Sequence, residues 1–312
     1  MTEQDGAIDA VVTWVDGADP VHAARRASFH DKKTLSSSSA AARFTDSGEI
    51  RYAVSSLLTF CPFLRRIHIV TDGQRPKVLD TLPDPDGKIQ IVDHSEIFGE
   101  HKDLLPVFSS RSIETMIHRI PGLADRFIYL NDDIFVGRPM KISDYFDGDL
   151  PVLQGQIKPL PGPVGRLAHR LFGRRKAGYG AAQRAAAQLA GRKGTYLLAE
   201  HQPHPMRRTT LAAFYANDPA ALRAQAGHRF RSPDQVSPIG LSHHLELAAG
   251  ARVTPAHDVG YIRPGRPTGA ELIATLEALE AGAFDSFCVQ SLQAMPKLDF
   301  IAIRAALERY YF

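Results

Sequence analysis

Residues 127 to 137 read FIYLNDDIFVG, an apolar run, then Asn131, Asp132 and Asp133, then a second apolar run closed by glycine. Adjacent carboxylates repel each other and resist leaving water. A surface turn carries such a pair harmlessly; at a site the pair holds a cation or a proton. Two carboxylates at a strand end suit a divalent ion such as Mg²⁺, which cancels their repulsion and could hold the pyrophosphate of a nucleotide sugar. In AEHQPHPMRRTT, His201 and His204 stand three apart. No cysteine or carboxylate at a familiar spacing completes a zinc set with them. A histidine beside an anionic substrate suits proton transfer, because its pKa lies near neutrality; a hydrogen-bonded loop histidine is the ordinary alternative. In GHRFRSPDQ, Arg229 and Arg231 flank Phe230. In an extended segment both guanidinium groups share one side and could fork onto phosphate oxygens, unless nearby acids pair with them.

The elements that must position these groups show in the same half of the chain. Four short runs rich in Val and Ile each end in an aspartate, at Asp16, Asp72, Asp93 and Asp132, and read as strands. Between them FSSRSIETMIHRI places Ile113, Met116, Ile117 and Ile120 on one helical face. TDSGEIRYAVSSLLTF sets Asp46 and Glu49 at capping-box spacing. Strands alternating with helices predict an α/β fold whose sheet is mostly parallel. Ligands of such sheets bind beyond the carboxyl ends of the strands, where the four aspartates fall. Ser36 onward, SSSSAAARF, reads as a flexible connector. The last third reads as mostly helical, with a Thr-led start at TGAELIATLEALEAGA.

The segment 151–199 carries repeated Arg and Lys and no acid before Glu200. It reads as a basic insertion, either a solvated helical excursion or a lid for something anionic, within a single catalytic domain spanning 1–312. Anionic lipid is one such partner, which predicts peripheral attachment to a membrane through Arg174, Arg175 and Lys176. The net charge of +3 and the lack of any basic–aromatic alternation exclude nucleic acid as the expected partner. The acid-bearing N-terminus has no signal-peptide pattern and no run is long enough to span a bilayer, so the expected location is cytoplasmic. Cys61 and Cys288 are expected as reduced thiols. Oligomeric state has no signature here.

Together these stretches resemble the Stealth family of sugar-phosphate transferases, which includes bacterial capsule hexose-1-phosphate transferases and the animal lysosomal-enzyme N-acetylglucosamine-1-phosphotransferase. The resemblance runs from IDAVVTWVDGADP through EIRYAVSSLL, IHIVTDGQRP, IVDHSEIF and FSSRSIETMIHRIPGLADRFIYLNDDIFVG to HQPHPM and HRFRSPDQVSP, most of residues 8 to 245. It implies a glycosyltransferase-A-like mixed, mostly parallel sheet flanked by helices, with a helical C-terminal part. It also implies a reaction in which a nucleotide sugar, typically UDP-linked, gives sugar-1-phosphate to a hydroxyl of a glycan or lipid-linked glycan. A phosphodiester forms and UMP leaves, in capsule or exopolysaccharide synthesis. A metal-dependent glycosyltransferase releasing UDP, or a non-catalytic glycan-binding protein, would share much of the pattern.

Carried over residue by residue, the resemblance implies Asp133, His201 and Arg231 as catalytic residues, and Asp132 with Asp133 as ligands of Mg²⁺ or Mn²⁺. It implies substrate contacts at Asp16, Gly17, Glu49, Arg51, Arg119, Asn131, His204 and Arg229. The chain departs from the pattern at three places. Ser55 replaces a usual arginine, Gln235 replaces a frequent acid, and Cys288-Val289-Gln290-Ser291 stands where the family reads Cys-Leu-Asn-Asp. The last change removes an anionic ligand that serine cannot replace.

Overall fold

The computed structural model describes residues 6–29, 47–162, 178–255 and 258–312. The connector from Ser36, Asp46, and the basic residues Arg174, Arg175 and Lys176 lie outside the described residues. The main sheet contains β1 (Ile8–Thr13), β2 (Leu64–Thr71), β3 (Ile89–Asp93), β4 (Arg126–Asn131) and β6 (His204–Arg207). Its spatial order is β6-β4-β1-β2-β3. The first four strands run parallel and β6 is antiparallel to β4. A second sheet is formed by β5 (Ile134–Val136), β7 (Val259–Ile262) and β8 (Ser286–Val289), with β8 central. The predicted α/β fold with a mixed, mostly parallel sheet is what forms, and all four aspartates stand at or just past the carboxyl ends of parallel strands. The C-terminal third is less helical than its composition suggests, because β7 and β8 lie within it.

Strand β1 shows how sequence drives this layering. Ile8, Ala10 and Val12 join the core on one face, and Val11 joins the core on the other. After α1 (Pro20–Ser28), the first core takes Ile50, Val54 and Leu57 from α2 (Glu49–Phe60). The second takes Ile113 and Met116 from α3 (Ser110–Met116), and Ile239 and Leu241 from α5 (Pro238–Ala248). Helix α2 starts at Glu49 with Gly48 as its N-cap in the left-handed conformation, φ +86°. Glu49 is therefore the first helical residue, where the Asp46 spacing predicts the third, and its carboxylate accepts instead from Ser47 N at 2.7 Å. A third core joins the second sheet to α6 (Gly269–Glu280) and α7 (Lys297–Tyr311). In that sheet Gly260 passes so near the Phe287 ring that a Cβ there would sit 2.2 Å from it. Ser55 lies in α2, where its hydroxyl donates to Tyr311 O at 3.0 Å. An arginine at this buried position would displace α7.

The described parts of 151–199 build into the body. Gln156–Pro159 pairs with Thr195–Leu198, and α4 (Tyr179–Leu189) buries Ala182, Ala186 and Ala187. Both cysteines are free and buried. No helix among the described residues is long and apolar enough to cross a membrane.

One polar cluster sits inside β1. Asp9 is fully buried, accepting from Arg65 Nε at 3.0 Å and from Ala124 N at 2.8 Å, with His68 Nε2 3.2 Å away. Burial by itself would raise this carboxyl; hydrogen bonds from His68, Arg65 and Ala124 outweigh it together and hold it at about 2. A carboxyl depressed on folding contributes stability above its ordinary value of 3.8, and that contribution is lost as pH falls through about 2. Asp9→Ala is expected to cost about 3–5 kcal/mol, because it strands a buried histidine and a partly buried arginine. Urea midpoints at neutral pH measure it; a cost under about 1 kcal/mol would remove the cluster from the stabilising set.

Candidate active site

A cavity of about 610 Å³ opens beyond the carboxyl ends of β1 and β4. Thr13 and Trp14 enter it from β1, and Asn131, Asp132 and Asp133 from the turn after β4. Only Asp132 and Asp133 separate β4 from β5, so the acid pair sits where the chain leaves one sheet and enters the other. Val289 N donates to Asp133 O at 3.0 Å and ties that turn to β8. Burial pushes the half-buried Asp133 carboxyl up to about 6. Asn131 is held from behind, where the Tyr129 hydroxyl lies 2.8 Å from its Oδ1 and Thr13 Oγ1 lies 3.2 Å from it.

His201 enters from the far wall between two aromatic rings. Tyr179 lies 4.7 Å away at 32° and Tyr261 lies 5.4 Å away at 8°, nearly parallel. Burial lowers the His201 pKa below its ordinary 6.5, so the ring is mostly neutral at neutral pH. His204 opens β6, pairs in register with Tyr129, and also lines the cavity. Burial pushes it down to about 3, and its ring stands edge-on to His243 at 5.2 Å. Arg231 reaches the cavity with Nη2 donating to Ser110 Oγ at 2.8 Å. Glu49 lines it too.

The other predicted contacts fall elsewhere. Arg229 is not in line with Arg231; its guanidinium lies 4.2 Å over the Phe29 ring, while Phe230 turns into the cavity and stacks on Phe108 at 5.3 Å. Arg51 pairs with Glu308 and lies 3.7 Å over the Phe312 ring. Arg119 pairs with Glu100 and donates to Ile97 O at 3.2 Å. Each of these guanidinium groups found an aromatic or anionic partner outside the cavity. Asp16 and Gly17 form the turn just beyond the cavity wall: Asp16 Oδ1 accepts from Ala18 N at 2.8 Å, and Gln74 bonds both main-chain groups of Asp16.

Sequence reasoning missed Glu114. It lies on α3, whose residues from Arg111 to Met116 are all buried, and it lines the cavity 3.4 Å from the Tyr129 hydroxyl. Burial raises its pKa, opposed by the charges of Arg231 and Arg111. An acid inside an otherwise apolar helical stretch, IETMI, was the available signal. The surroundings of Gln235 account for an amide where the resemblance implies an acid. The residue is buried, its Oε1 accepts from Ser109 Oγ at 2.9 Å, and its Nε2 donates to Ser112 Oγ and Gln225 O. A carboxylate could not make the last two bonds. Gln290 and Ser291 line the cavity, so the Ser291 hydroxyl stands where the resemblance implies a carboxylate.

A divalent ion fits this donor set in one form only. Among the described residues no group of three or more His, Cys, Asp or Glu gathers to hold a metal. An all-protein cage is thus absent there, as is the zinc set around His201 and His204. Mg²⁺ commonly takes one or two carboxylates and fills its remaining positions with water and substrate phosphate. Asp132 and Asp133 meet that requirement.

Comparison with known proteins places this geometry in context. Residues 6–34 match the model of Stealth protein conserved region 1, and residues 43–152 that of conserved region 2. The chain is 30% identical to the receptor polysaccharide phosphotransferase WefC of Streptococcus oralis, over 78% of this chain and 79% of that protein. It is 34% identical to the exopolysaccharide phosphotransferase SCO2592 of Streptomyces coelicolor, over 98% of this chain. The chain spans from 32% to 52% of the length of the four Streptomyces coelicolor relatives it matches. Among solved structures, the galactosyltransferase LgtC with donor and acceptor sugar analogues overlays 90% of this chain and 86% of its own, at a TM-score of 0.43 and 13% identity.

Proposed function

The chain belongs to the Stealth family, and from that premise we propose that it transfers sugar-1-phosphate from a nucleotide sugar to a glycan hydroxyl in capsule or exopolysaccharide synthesis. The donor is a UDP-hexose or UDP-N-acetylhexosamine, and UMP leaves. The observation that carries this reading is the convergence of Asp133, His201 and Arg231 in one cavity. Burial raises the Asp133 carboxyl to about 6 and lowers His201 below its ordinary 6.5, so the imidazole is free to accept a proton at neutral pH.

His201, mostly neutral and clasped by Tyr179 and Tyr261, takes the proton of the acceptor hydroxyl. The oxygen's electron pair then forms the bond to the β-phosphorus, and the bond from that phosphorus to the bridging oxygen breaks toward UMP. Phosphoryl transfer of this kind depends mostly on positioning and on charge neutralisation. Arg231, aligned by Ser110, meets the negative charge on the transferred group with a planar fork. Asp132 and Asp133 would hold Mg²⁺ or Mn²⁺, which supplies positive charge to the donor pyrophosphate. Tyr129 and Thr13 fix the Asn131 amide oxygen beside them.

The test is an incubation with a panel of UDP-sugars, an oligosaccharide acceptor pool and Mg²⁺, with the released nucleotide identified. UMP is the expected product. UDP would make the protein a glycosyltransferase; neither nucleotide, with donor binding intact, would leave a glycan-binding protein.

A further inference from the structure

Strand β7 leaves the second sheet through a tight hairpin. Arg263 N donates to Arg266 O at 2.7 Å and Arg266 N donates to Arg263 O at 2.8 Å. Pro264 and Gly265 occupy the turn between them, with Gly265 at φ +78° as the third position of a type II turn requires. Two residues that exchange both main-chain hydrogen bonds carry their side chains on the same face. The hairpin thus holds two guanidinium groups side by side. Both arginines are exposed, and neither forms an ion pair with an acid among the described residues. Arg75, Arg223, Arg252 and Arg309, also exposed, each pair with a carboxylate.

Like charges directly opposite one another destabilise a hairpin, and nothing in the turn demands them. The neighbours explain their placement. Ile262 O accepts from Gln290 N at 2.8 Å, and the Tyr261 hydroxyl donates to Gln290 Oε1 at 2.6 Å. Gln290 lines the cavity, as does His201, on which Tyr261 stacks. The arginine pair therefore begins one residue beyond Ile262, whose carbonyl holds the cavity-lining Gln290.

We propose that Arg263 and Arg266 form a second anion site, which grips a phosphodiester of the acceptor glycan. The inference rests on the sugar-phosphate-transfer reading: each transfer leaves a phosphodiester in the product, so an acceptor already extended this way is a polyanion. Two arginines at a fixed separation outside the reaction centre suit one of its earlier linkages.

The experiment uses two synthetic hexasaccharides of the same sugars, one joined by phosphodiesters and one by neutral glycosidic bonds. Binding of each is measured by calorimetry in the absence of donor. The wild-type protein should prefer the phosphodiester probe, less so at high salt. Arg263→Gln and Arg266→Gln should each weaken that probe roughly tenfold and leave the neutral probe unchanged. Their melting temperatures should be equal to or above wild type, since a like-charge contact is relieved. Equal affinity for both probes, or unchanged affinity in the double variant, overturns the proposal. So does a rise in donor KM with probe binding intact, which would assign the pair to the donor. Loss of sedimentation with phosphatidylglycerol vesicles, with probe binding intact, would assign it to a lipid surface and equally overturn it. Because binding is read without turnover, failure of UMP release would sink the catalytic reading while leaving this result standing.

Discussion

Asp133→Asn is expected to cut UMP release about 10³-fold and to make the protein more stable at neutral pH. Burial raises the Asp133 carboxyl from 3.8 to about 6. A carboxyl raised on folding contributes fully below 3.8, and that contribution disappears as pH rises through about 6. Above that range the folded protein holds a half-buried charge at a cost that the neutral amide avoids. Discounted for partial exposure, the gain is on the order of 1 kcal/mol at neutral pH, and it vanishes below 3.8. Urea midpoints on both sides of the titration, paired with single-turnover rates, test the two halves together. A variant losing stability in step with activity would make Asp133 a structural residue. One that still releases UMP at the wild-type rate would take it out of the chemistry.

Arg231→Ala should lower kcat/KM about 10²- to 10³-fold, the usual loss when a donor aimed at developing charge is removed. Arg231 is exposed and bonded to Ser110 Oγ, so melting temperature should barely move. Arg231→Lys should recover little, since an ammonium cannot present the planar fork. Ser110→Ala should fall between wild type and Arg231→Ala, because it releases the guanidinium without deleting it. Full activity in Arg231→Lys would reduce the residue to a point charge. A loss confined to donor KM would assign it to binding without a share in the transition state.

The residues whose placement the sequence anticipated share a property: their signal was local. Each acid at a parallel strand end followed a Val- and Ile-rich run. The Asp132–Asp133 pair interrupts two apolar runs, and His201 and His204 share a motif. What stayed hidden depended on distant partners. Arg51, Arg119, Arg229 and Arg231 are one residue type, and nothing near them says which will face the cavity. Arg51 is taken by Glu308, 257 residues away, and Arg231 is kept by Ser110, 121 residues away. Glu114 was concealed by the apolar pattern that made its helix legible. Strands β7 and β8 were concealed because each is four residues long, too short to show a period against helical surroundings.

The acid pair inherits its separation and aim from two sheets at once, since β4 fixes one side of the turn and β5, through β8, fixes the other. Gly260, on β7, lies in the sheet that holds the second side, where any side chain would collide with the Phe287 ring. A bulkier residue there pushes β7 and β8 apart, and the displacement arrives at Asp133 through the Val289–Asp133 bond. Inactivating changes will therefore collect along the back of the second sheet, among residues that touch neither sugar nor phosphate. In a family tree of such chains, small residues on that strand would persist for mechanical reasons, and their persistence would be mistaken for a second binding surface.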